Sequence, residues 1–584
     1  MALGGVSEQT RVWRLVAAHA WQNTLRWFHG ATPFGYSPLS GTPQRLLIAP
    51  QNLRTADPTI AADIYAGRFV FSGHQAESAG RSPFEIDAPD PDWARALHGF
   101  GWLRHLRAAK TNMARANARA LVDDWIRICG RRHSIGWEQA VVARRILSWL
   151  SQSPLLLEDC DREFYNRFLR ALIRQVRYLR KTINETPDGV PRMVASLALA
   201  AAAVSMSGQG RFARQSLRRL DLELKRQILP DGGHISRNPG AILDILVDLL
   251  PVRQAFVMQG LAPSGTVMTS VDRMMPMIRF FRHGDGSFAH FNGMGATPGD
   301  LVATVLAYDD ARGSPPNNAS HSGYQRMVGE ETVVLMDTGC PPPPMVSQHA
   351  HAGCLSMEVS SRANRLVVNC GVSSHGKDTW RRVARSTAAH STAEFEDTSS
   401  CRFMTGGSLV RKLGALIVGG PTDVPVHRED LSDGTSVSAS HNGYAKIFKL
   451  LHEREVRLSA DGTLIDGVDR FVSLRGAPSG EKDRYAVRFH LHPLVKASLL
   501  RGGGAVLLMC ADGEAWEFSG ADVEIALEES IYLSDVHGHR RTEQIVLYDR
   551  LRHAREVHWH FRRTASAKPA RRRPPESDEA MLPI

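Results

Sequence analysis

A short loop in the first half of the chain carries side chains that could move a proton and hold a carboxylate. Residues 231–239 read Asp-Gly-Gly-His-Ile-Ser-Arg-Asn-Pro, so His234, Arg237 and Asn238 lie close together. Helix capping explains Asn238 before Pro239, because asparagine is favoured at the N-cap and proline at the first helical position. Capping does not explain the histidine or the arginine, so this loop is a candidate site.

A second Gly-rich segment lies at residues 283–293 and contains His290. Its glycines fit a turn, and loops held by a rigid scaffold often bind ligands. We expect His290 to contact a substrate.

Histidines concentrate in the second half of the chain. His349 and His351 are two positions apart, so on a strand both would face the same side of the sheet. Asn369 ends a later predicted strand, and His390 follows further along the chain. Two histidines on one face with a third downstream are candidates for metal ligands or for acid–base catalysis, although their spacing is not that of a zinc finger.

Two kinds of secondary structure must position these side chains. Between about residues 137 and 281 the apolar residues recur with a helical period, and Gly and Pro separate the segments. From about residue 324 the pattern changes to short segments rich in Val, Leu and Thr, which predict strands. Residues 408–413 and 445–451 are among these predicted strands.

The predicted fold is therefore an α+β multidomain chain. We expect a helical domain over residues 1–312, an α/α array or toroid, and an antiparallel β-sandwich over residues 319–561. A cleft between the two domains is the natural place for a ligand.

The composition is that of a globular protein. The chain has 584 residues, 43% hydrophobic and 22% charged, which excludes a largely disordered or coiled-coil protein. Its formal net charge of +11 suits an acidic partner. Residues 562–584 contribute six basic and three acidic side chains, a net +3, and their prolines and arginines predict a disordered tail.

The sequence also bears on the compartment. No apolar run reaches the ~18 residues of a membrane helix, so we expect no integral membrane segment. The seven cysteines include no CxxC pair and predict buried thiols in a reducing compartment. Residues 12–28 lack the uninterrupted apolar core of a secretory signal, and a basic amphipathic helix is the favoured interpretation. We expect a cytoplasmic protein without a nucleic-acid partner, with the periplasm or cell envelope as the alternative.

Four segments, taken in order along the chain, resemble the heparinase II/III family of polysaccharide lyases. They are DGGHISRNP, HAHAGCLSMEV, RLVVNCG and RSTAAHST. The resemblance implies an incomplete α/α toroid followed by an antiparallel β-sandwich. It also implies β-elimination on an acidic polysaccharide or oligosaccharide that contains uronic acid, such as a glycosaminoglycan.

The same resemblance assigns roles to particular residues. His349 matches the family's catalytic histidine, and His351 and His390 match two histidines that bind a structural zinc ion. Asn369 stands where the family has a liganding aspartate, which puts the zinc site in doubt. Ala241 stands where the family has the tyrosine expected to shuttle the proton.

These departures lead to a modified mechanism. β-Elimination needs a group that neutralises the uronate carboxylate, a base that removes the C5 proton and an acid that protonates the leaving oxygen. Three side chains are expected to hold the carboxylate: Arg192, Arg237 and Asn238. His234 and His349 would share the base and acid roles, and Tyr324 would replace the missing phenol.

Two other functions stay open from the sequence. A non-catalytic protein that descends from a lyase and binds acidic glycans would also lack the tyrosine and the aspartate. A glycoside hydrolase would need paired carboxylates, and Asp231 and Asp285 are the only obvious pair in the marked loops.

Overall fold

The computed structural model describes Thr10, Ala17 and residues 45–130, 134–208, 210–309, 313–373, 378–405, 407–474, 483–521 and 523–566. The predicted helix at residues 12–28 therefore lies almost entirely outside the described residues. The predicted tail lies outside them from residue 567 onward, whereas its first residues continue the last strand of the sandwich to Ala565.

The first part of the chain is helical. A small hairpin of β1 (Arg68–Phe71) and β2 (His74–Glu77) accompanies the helices. The helices are α1 (Thr59–Tyr65), α2 (Pro91–Gly99), α3 (Leu103–Ala109), α4 (Asn112–Ile128), α5 (Gln139–Ser151), α6 (Ser153–Leu157), α7 (Arg162–Thr182), α8 (Val190–Ser205), α9 (Gly210–Gln227), α10 (Pro239–Met258), α11 (Gly265–Phe280) and α12 (Gly299–Leu306).

Helices α8 and α10 lie at the centre of this domain. Both are apolar nearly all round, and most of their side chains are buried, as expected of helices enclosed by others. Asn238 caps α10, because its Oδ1 accepts a hydrogen bond from the Gly240 amide at 2.8 Å, and Pro239 follows at the first helical position. The first turn of α10 is therefore fixed directly after the loop at residues 231–239.

The second part of the chain is built from antiparallel strands. Its larger sheet has the order β19-β20-β15-β7-β6-β5-β4-β3 with β8 on β15, and the second sheet has the order β11-β12-β13-β14-β21-β18-β17-β16. The strands are β3 (Asn318–Ala319), β4 (Tyr324–Gly329), β5 (Thr332–Asp337), β6 (Met357–Ser361), β7 (Asn364–Val368), β8 (Ala393–Phe395), β9 (Arg402–Phe403), β10 (Ile417–Gly419), β11 (Val426–Leu431), β12 (Gly434–His441), β13 (Leu450–Ser459), β14 (Leu464–Ser473), β15 (Arg484–Leu491), β16 (Lys496–Leu499), β17 (Ala505–Met509), β18 (Ala515–Gly520), β19 (Glu524–Tyr532), β20 (Arg540–Arg550) and β21 (Glu556–Ala565).

The predicted order of a helical domain followed by an antiparallel sandwich is confirmed. Two segments predicted as strands instead form short helices, α14 (Gly407–Leu413) and α15 (Ala445–Phe448); a further helix, α13 (Asp378–Val383), precedes them. Short apolar runs fit either period, so the pattern alone could not separate helix from strand there. No helix within the described residues combines the length and the apolar character needed to cross a membrane.

The two domains are joined through the buried side chain of Arg237, which leaves the loop before α10 and enters the sandwich. Its backbone has a φ of +61°, a left-handed conformation that is uncommon for a residue with a side chain. Its guanidinium donates to five acceptors: Ser322 O at 2.7 Å, Gly323 O at 2.9 Å, Gly339 O at 3.1 Å, Cys340 O at 3.0 Å and the carboxylate of Asp337. All its nitrogens are thus committed to the domain junction.

A second buried network joins the domains beside the first. Glu358 of β6 accepts from the backbone amide of His290 at 3.0 Å and contacts His283 Nε2 at 3.0 Å. Arg365 of β7 forms an ion pair with the same carboxylate at 2.5 Å. The segment 283–293 therefore docks on the sandwich.

Replacing Arg237 with alanine is predicted to lower the free energy of unfolding by about 3–5 kcal/mol, because it leaves the Asp337 carboxylate buried without its partner. Arg214→Ala removes an exposed arginine from α9 and should change stability by less than about 0.5 kcal/mol. Chemical denaturation of both variants measures the difference. Equal stability of the two variants would contradict the assigned role of Arg237.

Candidate active site

A cleft of about 590 Å³ lies between the two domains. Its helical side is formed by the first residues of α8 and α10, and its other walls are the loops at residues 292–298 and 345–350. His349 and Asn238 both line it. His234 lines it as well, so three of the residues that the sequence singles out lie along one cavity.

Two contacts position the loop that carries His349. Arg385 donates to Ala350 O at 2.7 Å and to Ser347 O at 2.9 Å, which fixes the backbone on both sides of the histidine. Gly293 of the opposite loop approaches the backbone so closely that a Cβ there would meet His349 O at 2.5 Å. His349 is therefore held at the junction of the two loops.

The His349 side chain is exposed, and its ring makes no hydrogen bond with any described residue. Desolvation of the ring by the protein around it, together with the positive charges of Arg385 and Arg381, lowers the pKa of His349 from its ordinary value. The ring is therefore neutral at neutral pH and able to accept a proton.

His234 has a different role from the one expected. Its ring is buried, with Nδ1 at 2.7 Å from Ser236 Oγ and Nε2 at 3.0 Å from Gln227 Oε1. Burial lowers its pKa to about 3. Because both nitrogens are bonded within the protein, His234 holds the loop before α10 in place and does not offer a proton to the cleft.

The expected carboxylate clamp is not formed. The guanidinium of Arg237 donates to acceptors at the domain junction and is not available to a substrate. Arg192 donates to Thr186 O at 3.0 Å and pairs with Asp188 at 2.6 Å, which ties it to the turn before α8. Asn238 alone of the three lines the cleft, and its Oδ1 is used in capping α10.

Tyr324 and His290 also lie away from the cleft. The Tyr324 hydroxyl is buried, donates to Arg237 O at 2.5 Å and accepts from Asn292 Nδ2 at 2.8 Å. Burial raises the pKa of this phenol. His290 is enclosed by the Glu358 and Arg365 network, and burial lowers its pKa to about 3. Neither side chain reaches a substrate beside His349.

The cleft carries no lysine or arginine among its described lining residues, and its ionisable groups besides the histidines are Asp188 and Asp244. Ala241, which stands where the lyase family has a tyrosine, also lines the cleft. The sequence did hold a signal for Asp244, because it and Asp248 are four residues apart in the largely apolar helix α10. The two aspartates named as a hydrolase pair are engaged in local turns: Asp231 accepts from Gly233 and Asp285 from Ser287.

The three residues considered for zinc, His351, Asn369 and His390, are all buried. His390 Nδ1 donates to Ser386 O at 2.7 Å, so its Nε2 accepts from His351 Nδ1 at 2.9 Å. Asn369 Oδ1 accepts from the Ser391 amide at 2.9 Å. Asn369 Nδ2 and His351 Nε2 have no hydrogen-bond partner among the described residues.

This donor set does not fit a zinc site. Structural zinc takes four ligands and is usually held with anionic thiolates or carboxylates. Here two neutral imidazoles stand beside an amide whose oxygen is already bonded, and no carboxylate or cysteine of the described residues completes a group of three. The cluster is a hydrogen-bonded histidine pair, and no step of a reaction is assigned to a metal.

The comparisons with known proteins agree with this fold. Residues 311–560 match the family described as Heparinase II/III-like, C-terminal. The C-terminal part of the chain is therefore heparinase II/III-like, and the chain as a whole has the fold of solved heparinases. A solved heparinase III is similar to it with a TM-score of 0.68 and 14% identity, over 96% of this chain and 92% of that one. A mutant of heparan sulfate lyase HepC from Pedobacter heparinus has a TM-score of 0.62 and 16% identity, over 97% of this chain and 92% of that one.

A further relative has a different kind of name. FtsZ-localized protein C of Caulobacter vibrioides (strain NA1000 / CB15N) is 29% identical over 549 residues, which are 93% of this chain and 94% of the relative. The heparinase II/III-like architecture, helical domain included, is thus shared at nearly full length with a protein whose name states a location and no reaction.

The buried neutral state of His234 predicts a loss of stability in acid. Its pKa is about 3 in the folded chain, against about 6.5 when exposed. Between these values the unfolded chain binds a proton that the folded chain does not, so stability is full above pH ~6.5 and falls as the pH is lowered, by up to about 1.4 kcal/mol per pH unit.

The variant His234→Gln should reduce the slope of stability against pH by up to about 1.4 kcal/mol per pH unit, with other buried histidines such as His290 supplying the rest; denaturation at a series of pH values measures this. The matched control is His537→Gln, which replaces an exposed histidine of the sandwich and should keep the wild-type slope. A wild-type slope in His234→Gln would show that His234 does not contribute to the dependence.

The histidine pair predicts that the purified protein holds no stoichiometric zinc and that a chelator leaves its Tm unchanged. Asn369→Asp supplies the missing anionic ligand and should increase zinc content, as elemental analysis would measure. About one zinc per wild-type chain, with a lower Tm after chelation, would contradict the assignment.

Proposed function

We propose that this heparinase II/III-like protein is a non-catalytic binding protein, which does not cleave polysaccharide by β-elimination. The observation that carries the proposal is the composition of the cleft: His349 is available as a base, but no arginine, lysine or tyrosine of the described residues lines the cleft with it. The fold of a lyase is present, and the groups that the reaction needs around the base are missing.

The missing cation matters most for the chemistry. Removal of the C5 proton builds negative charge next to a carboxylate that is already negative, so the carboxylate must be neutralised for the transition state to form. The ionisable residues that line this cleft besides the histidines are Asp188 and Asp244, and neither supplies a neutralising positive charge. A neutral His349 alone offers only the proton transfer.

The full-length relative supports a non-catalytic role and suggests its setting. FtsZ-localized protein C covers both domains of this chain, and its name describes where it is found. We therefore propose that this protein also localises with FtsZ and works as a component of an FtsZ-associated assembly.

Incubation of the purified protein with uronic-acid polysaccharides, sulfated and unsulfated, tests the proposal through the absorbance of unsaturated uronate. Wild type and His349→Ala should be equally silent, while a heparinase serves as the positive control. Product that appears with wild type and disappears with His349→Ala would overturn the non-catalytic assignment.

The localisation half of the proposal has its own readout. A fluorescent fusion of the full chain should overlap with labelled FtsZ in dividing cells, and His349→Ala should overlap equally well because no reaction is involved. Diffuse fluorescence of a folded fusion would refute the FtsZ association without affecting the result of the elimination assay.

A polysaccharide lyase remains the second candidate function, since His349 is exposed, neutral and unbonded in a cleft large enough for a sugar unit. In that case the substrate would be an acidic polysaccharide, and the amide side chains that line the cleft are those of Asn238, Asn292 and Gln348. The elimination assay separates the two candidates.

A further inference from the structure

A second cavity, of about 650 Å³, lies in the helical domain and shares no lining residue with the cleft at His349. We call it the basic pocket, because it is lined by five cationic side chains: Arg54, Arg104, Arg107, Lys110 and Arg115. The acidic residue among its described lining residues is Glu158. The proposed function above makes no use of it.

The positive charge of the basic pocket is only partly compensated by the protein. Arg115 pairs with Glu158 at 2.9 Å and with Asp159 at 3.4 Å. Arg54 pairs with Asp248 at 2.6 Å and also interacts with Asp244. These carboxylates serve two of the five cations that line the pocket.

The remaining three cations have no carboxylate partner among the described residues. Arg104 donates to the backbone oxygens Thr55 O at 2.7 Å and Gly101 O at 2.5 Å, and Arg107 donates to Ser151 O at 2.9 Å. These carbonyls orient the guanidinium groups without neutralising them. Lys110 is exposed at the end of α3 with a φ of +52°.

The backbone adds to this positive field. Thr111, which lines the pocket, is the N-cap of the 17-residue helix α4, so the positive end of that helix lies in the wall. Burial lowers the pKa of Arg104, and the charge of Arg54 lowers it further, which reflects the crowding of cations in this pocket.

We propose that the basic pocket binds a small molecule that carries two or more phosphate or sulfate groups. Guanidinium forks match the geometry of such oxyanions, and several separate cations suit a ligand with more than one anionic group. The cavity volume falls in the range of small-molecule sites, ~300–1,000 Å³. Phosphorylated and sulfated compounds share this chemistry.

Isothermal titration of the full chain tests the proposal with inorganic pyrophosphate, with a disulfated disaccharide and with phosphatidylglycerol vesicles. We expect saturable binding of pyrophosphate or of the disaccharide that weakens as salt is added. The double variant Arg107→Gln/Lys110→Gln, which changes two exposed side chains, should weaken that binding about 10-fold or more.

The matched control is Lys496→Gln/Arg501→Gln, which removes the same two charges from exposed positions of the sandwich and should bind like wild type. Three results would overturn the proposal: no saturable binding of either small anion, equal weakening in both double variants, or binding to the vesicles alone. Thermal unfolding of both double variants confirms that each is folded when titrated.

Discussion

The buried guanidinium of Arg237 is the constraint on which the rest of the structure depends. It leaves the helical domain in a left-handed backbone conformation and bonds with four carbonyls and one carboxylate of the sandwich. Such a group is costly to bury unless every donor is satisfied, and here the acceptors come from two turns that flank β4 and β5. The relative position of the two domains, and so the width of the cleft, follows from this junction.

The same constraint decides the chemistry of the cleft. An arginine committed to the domain junction cannot also neutralise a substrate carboxylate, and Arg192 is committed to Asp188. What remains is His349, held by Arg385 and Gly293 at the meeting of two loops. The cleft therefore contains a histidine that could act as the base, but it lacks a cation to neutralise the substrate carboxylate and a phenol to transfer the proton.

The sequence predicted the architecture and the location of the cleft well, because helical and strand periods are local signals. It predicted that His349 and Asn238 share a site, since both stand in segments that resemble the lyase family. It could not predict the positions of the Arg237 and Tyr324 side chains, because the acceptors of their hydrogen bonds are separated from them by more than eighty residues. Which polar groups meet across a domain junction depends on the packed structure, and no local pattern reports it.

Exchange of the C5 proton of a uronate tests the central claim most directly, because it isolates the step that needs both a base and a charge clamp. The oligosaccharide is incubated with the protein in D2O and the C5 signal is followed by proton NMR. We expect the wild-type protein to exchange the C5 proton no faster than His349→Ala does, since the cleft does not stabilise the carbanion. Loss of the C5 signal with wild type, abolished in His349→Ala, would contradict it.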